Sequence, residues 1–352
     1  MLKYYTNSHI ERTMDMKKMI CLLMTMIMLL SAFGCFDVLA EESTEPIRIL
    51  LNNKFVECDQ APVLVDNRTL VPMRAILEAL GAQVQWDDAT QTVTAVKGDK
   101  TISLTIGQSS LSVNGNVKTL DVPAQLIGGR TMIPVRAVSE AFDCIVDWNN
   151  MFEIVIIIPK NQTPYRVEAL RDGEVVATAR FNDKGLLAEI EGTYKKALSP
   201  LYININGNQY YEFVSGKKVI FNYDSKGRVN LIEQVESDGT VNNKTVRYNA
   251  DGCISDNYGP LTYAKAANGK VSAKNSFLTF WFNSQSRYTS SNTAGPGYSY
   301  DEKGNMIKLS EIMASGGNKV EYQYDDEQRL TVAYVIPPYG DGYKYTYRYI
   351  EE

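Results

Sequence analysis

The chain has 352 residues, of which 44% are hydrophobic and 22% are charged, a composition typical of globular proteins of about two domains. The formal net charge is −5 and the Lys and Arg residues are dispersed, so the sequence lacks the basic surface that binds nucleic acid. The only histidine, His9, precedes the cleavage site predicted below. The mature chain is therefore expected to lack histidine-dependent catalysis and His-ligated metal centres, and no catalytic residue, metal or cofactor is predicted.

The first forty residues have the pattern of a secretory signal. Lys17 and Lys18 precede the uncharged run 19–36, and Val38 and Ala40 supply the small residues that signal peptidase requires. We therefore expect residues 1–40 to be a signal peptide cleaved after Ala40, and the protein to be secreted or on the cell surface. Two alternatives stay open, an uncleaved membrane anchor and a lipid-modified Cys35. Contact with a membrane is expected only through one of these.

Three cysteines follow the predicted signal, namely Cys58, Cys144 and Cys253. An odd number allows at most one disulfide within the chain, and Cys58–Cys144 is the candidate pair. Three separate buried thiols are the favoured interpretation.

Residues 46–160 contain a tandem duplication. The segment 68–75, Arg-Thr-Leu-Val-Pro-Met-Arg-Ala, recurs 62 residues later at 130–137 as Arg-Thr-Met-Ile-Pro-Val-Arg-Ala. Each copy is predicted to contain a hairpin with a tight turn, at 52–53 or 114–115, then a strand pair, a helix that starts at Pro, and two further strands. The expected fold class is α+β, with tandem small sheet-plus-helix repeats followed by a region of antiparallel β-hairpin repeats.

The Arg-Thr-Leu-Val-Pro-x-Arg segment, the helix after it and the Val-x-Trp strand resemble the family of N-terminal stalk domains of copper amine oxidases. The resemblance covers residues 46–160, and both copies carry its core pattern. It implies an accessory domain of secreted and cell-surface bacterial proteins. It does not imply amine oxidation, because in that family the oxidase chemistry belongs to a separate domain with three copper-ligating histidines and a quinone-forming tyrosine.

Two pairs of residues in the duplication are candidates for ligand binding. Arg74 and Arg136 could bind an acidic ligand, although packing of the side-chain stem and contact with a neighbouring loop is the favoured interpretation. Trp86 and Trp148 could stack on sugar rings. Because they alternate on strands beside a helix, a core position is favoured for both.

The region 165–352 has a different composition, since it contains twenty of the 22 tyrosines and residues 41–160 contain none. Five segments share an aromatic residue, then Asp or Asn, a turn and an apolar strand, and they begin at Phe181, Tyr223, Tyr248, Tyr300 and Tyr324. Residues 263–271 are predicted to be a degenerate copy. Asp or Asn caps such a turn and Gly supplies positive φ, so the pattern predicts a meander of hairpins with aromatic faces. It resembles the YD repeats of bacterial RHS-type proteins, with Gln328 in place of Gly in the last copy.

The sequence predicts a non-enzymatic binding or scaffolding module whose partner is a cell-wall polymer or surface glycan. A third candidate residue, Trp281, is expected on the opposite strand face from Phe280 and Phe282, with burial favoured over stacking on a glycan. One alternative is a carboxylate-dependent glycan hydrolase, although Asp224, Asp301 and Asp325 are predicted turn caps. The other is a structural spacer without a ligand.

Overall fold

The computed structural model describes residues 46–160, 162–202, 216–255, 260–276, 278–283, 285–291, 297–311 and 317–352. In these ranges the chain forms 28 strands, three α-helices and one 3-10 helix. The predicted signal, with His9, Cys35 and Ala40, lies outside the described residues. None of the described helices is long and apolar enough to cross a membrane.

The duplicated region contains thirteen strands and two helices in chain order. They are β1 Arg48–Leu51, β2 Lys54–Phe55, β3 Val63–Val65, β4 Arg68–Pro72, α1 Met73–Ala79, β5 Gln83–Asp87, β6 Thr92–Lys97, β7 Lys100–Thr105, β8 Ser110–Val113, β9 Asn116–Thr119, β10 Gln125–Ile127, β11 Arg130–Pro134, α2 Val135–Ala141, β12 Cys144–Asn149 and β13 Ile154–Pro159.

The tyrosine-rich region contains the remaining strands. They are β14 Tyr165–Arg171, β15 Glu174–Phe181, β16 Leu187–Gly192, β17 Lys218–Tyr223, β18 Val229–Val235, β19 Val241–Thr245, β20 Thr262–Lys265, β21 Val271–Lys274, β22 Thr279–Phe282, β23 Tyr288–Ser291, β24 Gly297–Tyr300, β25 Met306–Ser310, β26 Lys319–Tyr324, β27 Leu330–Ile336 and β28 Tyr343–Glu351. Between β16 and β17 lie the 3-10 helix Lys195–Leu198 and the short helix α3, Ser199–Tyr202.

The two copies of the duplication exchange their first hairpins. Strands β5 and β6 of the first copy share a sheet with hairpin β8–β9 of the second, in the order β5-β6-β7-β8-β9. Strands β12 and β13 of the second copy share a sheet with hairpin β1–β2 of the first, in the order β12-β13-β1-β2. In the first sheet β7 pairs antiparallel with both neighbours, so β6 and β8 run in the same direction. The second sheet has no strand in this position, and β13 therefore pairs directly and in parallel with β1.

A third sheet joins the second hairpins of the two copies about a local two-fold relation. Its order is β10-β11-β4-β3, with Ile133 opposite Val71 at the centre. The hairpin turns predicted at 52–53 and 114–115 are confirmed, because all four of their residues have positive φ. Each helix starts directly after the proline that ends the preceding strand.

The sheet β12-β13-β1-β2 is buried on both faces at its centre. Val155 and Ile157 of β13 lie in the core of the duplicated region, with residues of α1 and α2. The alternate residues of β13 lie in the core of the tyrosine-rich region: Ile154, Ile156 and Ile158. All of β13 is buried, whereas Val96, the counterpart of Ile158 in β6, is 38% exposed. The continuous apolar run 154–158 is thus explained by burial on both faces.

The tyrosine-rich region forms an 11-stranded antiparallel sheet in the order β19-β18-β17-β16-β15-β14-β28-β27-β26-β25-β24. Strands β20 to β23 form a separate four-stranded sheet. Both sheets contribute residues such as Val167 and Phe282 to the core that also contains Ile156. Residues Glu45–Glu352 form one compact unit. The predicted boundary between residues 160 and 165 lies inside this unit and stays a prediction.

Hairpins of the tyrosine-rich region are closed by a recurring turn. At Asp224, the backbone N–H groups of Lys226 and Arg228 donate to Oδ1 at 2.9 and 3.0 Å, and Gly227 N–H donates to the Asp224 carbonyl at 3.0 Å. The same backbone pattern confirms the other predicted turns: Asn182, Asn249, Asp301 and Asp325. A further turn at Asn283 escapes the sequence pattern because Ser286, with φ 60°, replaces glycine.

Tyrosine hydroxyls connect each turn to an earlier one. The Tyr324 hydroxyl donates to the carbonyl of Met306 at 2.8 Å, and Met306 lies five residues after the turn residue Asp301. The same relation recurs in four more pairs: Tyr223 with Leu187, Tyr248 with Val229, Tyr263 with Ile254, and Tyr300 with Tyr288. Burial raises the pKa of Tyr223 and of Tyr324, so both hydroxyls remain protonated donors.

The α+β class predicted from the sequence is wrong, because the fold is essentially all β, with 53% strand and 8% helix among the described residues. Helices α1 and α2 have only seven residues each. Each is confined between a proline and a residue with positive φ, Gly81 or Asp143. The strands of one copy also do not form a sheet around their own helix, because they enter three different sheets.

The three cysteines of the described region form no disulfide, as predicted, and the predicted burial is confirmed for Cys144 and Cys253 but not for Cys58. Cys144 and Cys253 are buried and Cys58 is half-buried, and the candidate bridge between Cys58 and Cys144 is not formed. Desolvation raises the pKa of both Cys58 and Cys144 to about 11, so these thiols are protonated at neutral pH.

The first prediction concerns burial on both faces of β13. We expect Ile158→Ala to lower the free energy of unfolding by about 2–5 kcal/mol, because it leaves a cavity in the shared core. The matched control is Val96→Ala at the corresponding, exposed position, with an expected cost below about 1 kcal/mol. Urea unfolding measures both values, and equal costs would contradict burial of the second face.

The second prediction concerns the tyrosine contacts. We expect Tyr324→Phe to lower the free energy of unfolding by about 1–2 kcal/mol, since the Met306 carbonyl loses its donor inside the core. Tyr334→Phe is the control, because Tyr334 is exposed. Denaturant unfolding of the two variants is compared, and a Tyr324→Phe variant as stable as the control would show that the hydroxyl contributes nothing.

Candidate functional site

The local two-fold relation creates two equivalent grooves in the duplicated region. The Trp86 groove is defined by four residues: Asp59, Arg74, Trp86 and Arg130. The Trp148 groove is defined by their counterparts at a spacing of 62 residues: Asp121, Arg136, Trp148 and Arg68. Their volumes are about 350 Å³ and 590 Å³ respectively. These volumes lie within the range of small-molecule binding sites.

Each groove is built from both copies of the duplication. The helix supplies Arg74 or Arg136 in its first turn, because the proline two residues earlier ends the strand and the helix starts at once. The strand after the helix supplies the tryptophan, on β5 or β12. The remaining arginine is the first residue of β11 or β4, which belongs to the other copy.

An ion pair between the two copies forms one wall of each groove. Arg130 Nε lies 2.6 Å from Asp59 Oδ2, and Arg68 Nη2 lies 2.6 Å from Asp121 Oδ2. All four side chains are exposed, so each pair contributes less than about 1 kcal/mol to stability. Arg68 Nη1 also donates to the carbonyl of Asn67 at 3.2 Å.

Both tryptophan side chains are more exposed than the core positions predicted for them. Trp86 is 37% exposed, so the core position favoured for it is wrong, and Trp148 is half-buried against the core of the duplicated region. Each indole N–H donates to a side-chain oxygen two residues further along the chain. Trp86 Nε1 lies 3.4 Å from Asp88 Oδ1, and Trp148 Nε1 lies 3.4 Å from Asn150 Oδ1. This long contact directs each indole N–H toward the loop that follows its strand.

The helix arginines also differ from the favoured interpretation. The Arg74 side chain is 70% exposed and its Nε lies 3.7 Å from Glu78 Oε1, on the same helix. It therefore contacts its own helix rather than a neighbouring loop. Arg136 is exposed as well and lines the Trp148 groove.

The two Arg–Asp ion pairs of the grooves were not predicted from the sequence. Arg68 and Arg130 are the first residues of the repeated segment, and Asp59 and Asp121 obey the same spacing of 62 residues. A search for charged residues that keep this spacing would have found all four. Their pairing depends on the exchange between copies, which no local pattern reveals.

The third aromatic candidate, Trp281, lies on the outer face of the sheet β20–β23. It is 41% exposed while Phe280 and Phe282 are buried, so the predicted alternation is confirmed and the favoured burial of Trp281 is wrong. Ser272 and Ser290 lie opposite it on the neighbouring strands. Trp281 thus lies apart from charged groove walls of the kind that flank Trp86 and Trp148.

The candidate acids of a hydrolase serve as turn caps, as predicted. Oδ1 of Asp224, of Asp301 and of Asp325 accepts a backbone N–H within each turn. Hydrogen bonds from the Arg329 backbone and guanidinium lower the pKa of Asp325. A general acid for glycoside hydrolysis requires the opposite direction. Within the described ranges, no group of three or more His, Cys, Asp or Glu residues is placed to hold a metal ion.

The comparison with protein families confirms the resemblance stated for the duplicated region. Residues 50–157 match the family model described as the copper amine oxidase N-terminal domain. This domain of the oxidases is non-catalytic.

Individual relatives match only parts of the chain. A protease inhibitor of Brevibacillus choshinensis is 25% identical over 155 residues, 43% of this chain and 45% of the inhibitor. The primary amine oxidase of Klebsiella aerogenes is 29% identical over 90 residues, 25% of this chain and 12% of the oxidase. The crystal structure of TcdB2-TccC3-TEV aligns with 80% of this chain and 15% of its own, at 11% identity and a TM-score of 0.18, which does not establish a common fold. The chain spans less than half the length of each relative.

Proposed function

We propose that this chain is a non-catalytic bacterial binding module, secreted or held at the cell surface, that binds cell-wall carbohydrate in the Trp86 and Trp148 grooves. The observation that carries the proposal is the duplicated set of a surface indole, a helix arginine and an Arg–Asp pair. The match of residues 50–157 to a non-catalytic domain supports a binding role.

The chemistry of each groove suits a sugar ring. The flat apolar face of an indole packs against the C–H face of a pyranose, and the exposed part of Trp86 is available for such a contact. The guanidinium groups donate hydrogen bonds and the carboxylates accept them, and sugar hydroxyls can do both. Because one chain carries two grooves, both could engage the same polymer, which would raise the apparent affinity without further contacts.

The proposed location depends on the first forty residues. The basic residues Lys17 and Lys18, the apolar run and the small residues before position 41 support export across the cytoplasmic membrane. A wall-binding module would meet its ligand only after export.

The third prediction tests the grooves with tryptophan variants of the chain 41–352. We expect Trp86→Ala and Trp148→Ala each to weaken co-sedimentation with purified wall polysaccharide by about threefold to tenfold, since each removes one stacking surface. The double variant is expected to stay in the supernatant. Separate fragments are unsuitable, because dividing the chain after β13 would expose its second apolar face.

The matched control for that experiment is Trp281→Ala, which removes an exposed tryptophan outside the grooves. Loss of binding in this variant alone would contradict the assignment to the grooves. Failure of the unchanged chain to sediment would overturn wall binding, and reducing sugar released from the wall would identify a hydrolase instead.

The fourth prediction concerns export. We expect the full chain, expressed in a bacterium, to be recovered outside the cytoplasm with Glu41 as its first residue, as measured by intact mass. Ala40→Phe is expected to prevent this cleavage and Ala40→Ser to preserve it, because the site requires a small residue. A mass that retains residues 1–40 would support the anchor, and a lipid-modified Cys35 at the N-terminus would support the lipoprotein.

A further inference from the structure

We propose that a cavity between hairpin β1–β2 and the turns of the tyrosine-rich region, the turn cavity, binds inorganic phosphate. Its volume is about 150 Å³. This is below the lower limit of about 300 Å³ for drug-sized ligands, so the cavity suits a small ion. It shares no lining residue with the Trp86 and Trp148 grooves, and the proposal does not depend on carbohydrate binding.

Three cationic side chains line the turn cavity, and none of the described residues of its lining is Asp or Glu. The cations are Lys54 of hairpin β1–β2, Arg287 and Arg329. Lys54 and Arg329 are exposed, whereas Arg287 is 3% exposed, so positive charge lies both at the open end of the cavity and inside it. A lining of this kind attracts anions and raises their local concentration.

The buried guanidinium of Arg287 is the cation inside the cavity. Its Nη1 and Nη2 donate to Oδ1 and to the carbonyl of Asn53, two neutral acceptors, at 3.4 and 3.3 Å. It lies 5.1 Å from the ring centroid of Phe55, and Arg48 lies 5.2 Å from the same centroid. Desolvation lowers the pKa of Arg287 to about 10, and nearby Arg48 acts in the same direction, so the group is still charged at neutral pH. A bound anion would compensate this buried charge.

Three carboxylates lie near the turn cavity without lining it, and each is bound within its own turn. Oδ1 and Oδ2 of Asp301 accept the backbone and side-chain N–H groups of Asn305, at 2.8 and 3.0 Å. Asp325 and Glu327 pair with Arg329, at 2.8 and 2.9 Å. The charge of Arg329 is therefore balanced at the surface, and the attraction for an anion depends on Lys54 and Arg287.

Lys54 and Tyr349 supply further donors. The Lys54 ammonium has three N–H groups, of which one donates to the carbonyl of Glu327, and it forms no ion pair with the residues that the structure describes. The Tyr349 hydroxyl oxygen accepts the backbone N–H of Leu330 at 3.0 Å, so its own hydrogen can be donated to a ligand. Desolvation raises the pKa of Tyr349 to about 12, which keeps this donor protonated. Phosphate oxygens are strong acceptors for such groups.

Gln328 supplies an acceptor that distinguishes phosphate from other oxyanions. It lines the cavity at the turn position where Gly227 and Gly304 follow Asp224 and Asp301. Its φ of 60° is strained for a residue with a side chain. Its Oε1 is buried and finds no donor within the described part of the chain. Phosphate keeps a proton at neutral pH and can donate it to this oxygen, whereas sulfate has none to donate.

Calorimetric titration of chain 41–352 with sodium phosphate and with sodium sulfate at neutral pH tests the proposal. We expect one phosphate to bind per chain and sulfate to bind about tenfold more weakly, since sulfate leaves Gln328 Oε1 without a donor. Lys54→Met should weaken phosphate binding about fivefold to tenfold, because it removes a charged donor from the cavity. The matched control is Lys118→Met on strand β9, which removes an exposed lysine outside the cavity and should leave the affinity unchanged.

A second variant, Gln328→Gly, tests the selection separately from the binding. It restores the residue of the related turns and relieves the strain, so the turn is expected to fold. Without the amide oxygen, phosphate should lose about fivefold in affinity while sulfate loses nothing, and the two anions should then bind almost equally.

The site and its selection fail in different ways. Absence of phosphate binding to the unchanged chain, or equal affinity in the Lys54→Met and unchanged chains, would overturn the site. Equal affinities of the unchanged chain for phosphate and sulfate, or an unaltered ratio in Gln328→Gly, would overturn the selection of phosphate. None of these outcomes bears on the Trp86 and Trp148 grooves, which the wall-polysaccharide experiment tests independently.

Discussion

Burial of strand β13 on both faces is the constraint on which the rest of the structure depends. A strand of five consecutive apolar residues, 154–158, has no polar face to turn toward water, so it must be covered from two sides. The helices α1 and α2 lie in the core on one side, and the tyrosine-rich region covers the other. β1 then pairs with β13 on its open edge, and its residues Ile49 and Leu50 divide between the same two cores. The exchange of hairpins between copies follows from this pairing.

The same exchange creates the grooves, because each requires residues from both copies. Asp59 belongs to the first copy and its partner Arg130 to the second, and the second ion pair reverses that relation. A single copy would hold a helix arginine and a tryptophan without the ion pair beside them. The duplication therefore completes the site as well as the core, and two grooves arise together from one rearrangement.

Features with a local physical cause were predictable from the sequence, and features set by distant neighbours were not. The turns at 52–53 and at Asp224 depend on the backbone preferences and hydrogen bonds of their own residues. The apolar spacing of both helices is clear in the sequence, and it led to the prediction of an α+β fold. Each helix has only seven residues after its proline, too few to form a helical layer. Strand alternation placed Trp281 opposite Phe280 correctly, yet it could not say which face is covered. Trp86 and Trp148 both lie on edge strands, β5 and β12, and within the described structure the loop after Trp148, unlike the loop after Trp86, is hydrogen-bonded to the tyrosine-rich region.

The difference between the loops after Trp86 and Trp148 has its own origin in how the tyrosine-rich region packs on the second copy. The loop after Trp148 is held by the turn at Asn249: Asn150 N–H donates to the carbonyl of Asp251 at 2.9 Å, and Asn149 is 1% exposed against Gly252. A carboxylate at position 149 would be buried there, at a high cost in desolvation, and one at position 150 would face the carboxylate of Asp251. The loop after Trp86 has no such neighbour in the described structure and is closed by Asp87 itself, so carboxylates are tolerated. The contact that covers β13 thereby also constrains which residues can follow Trp148.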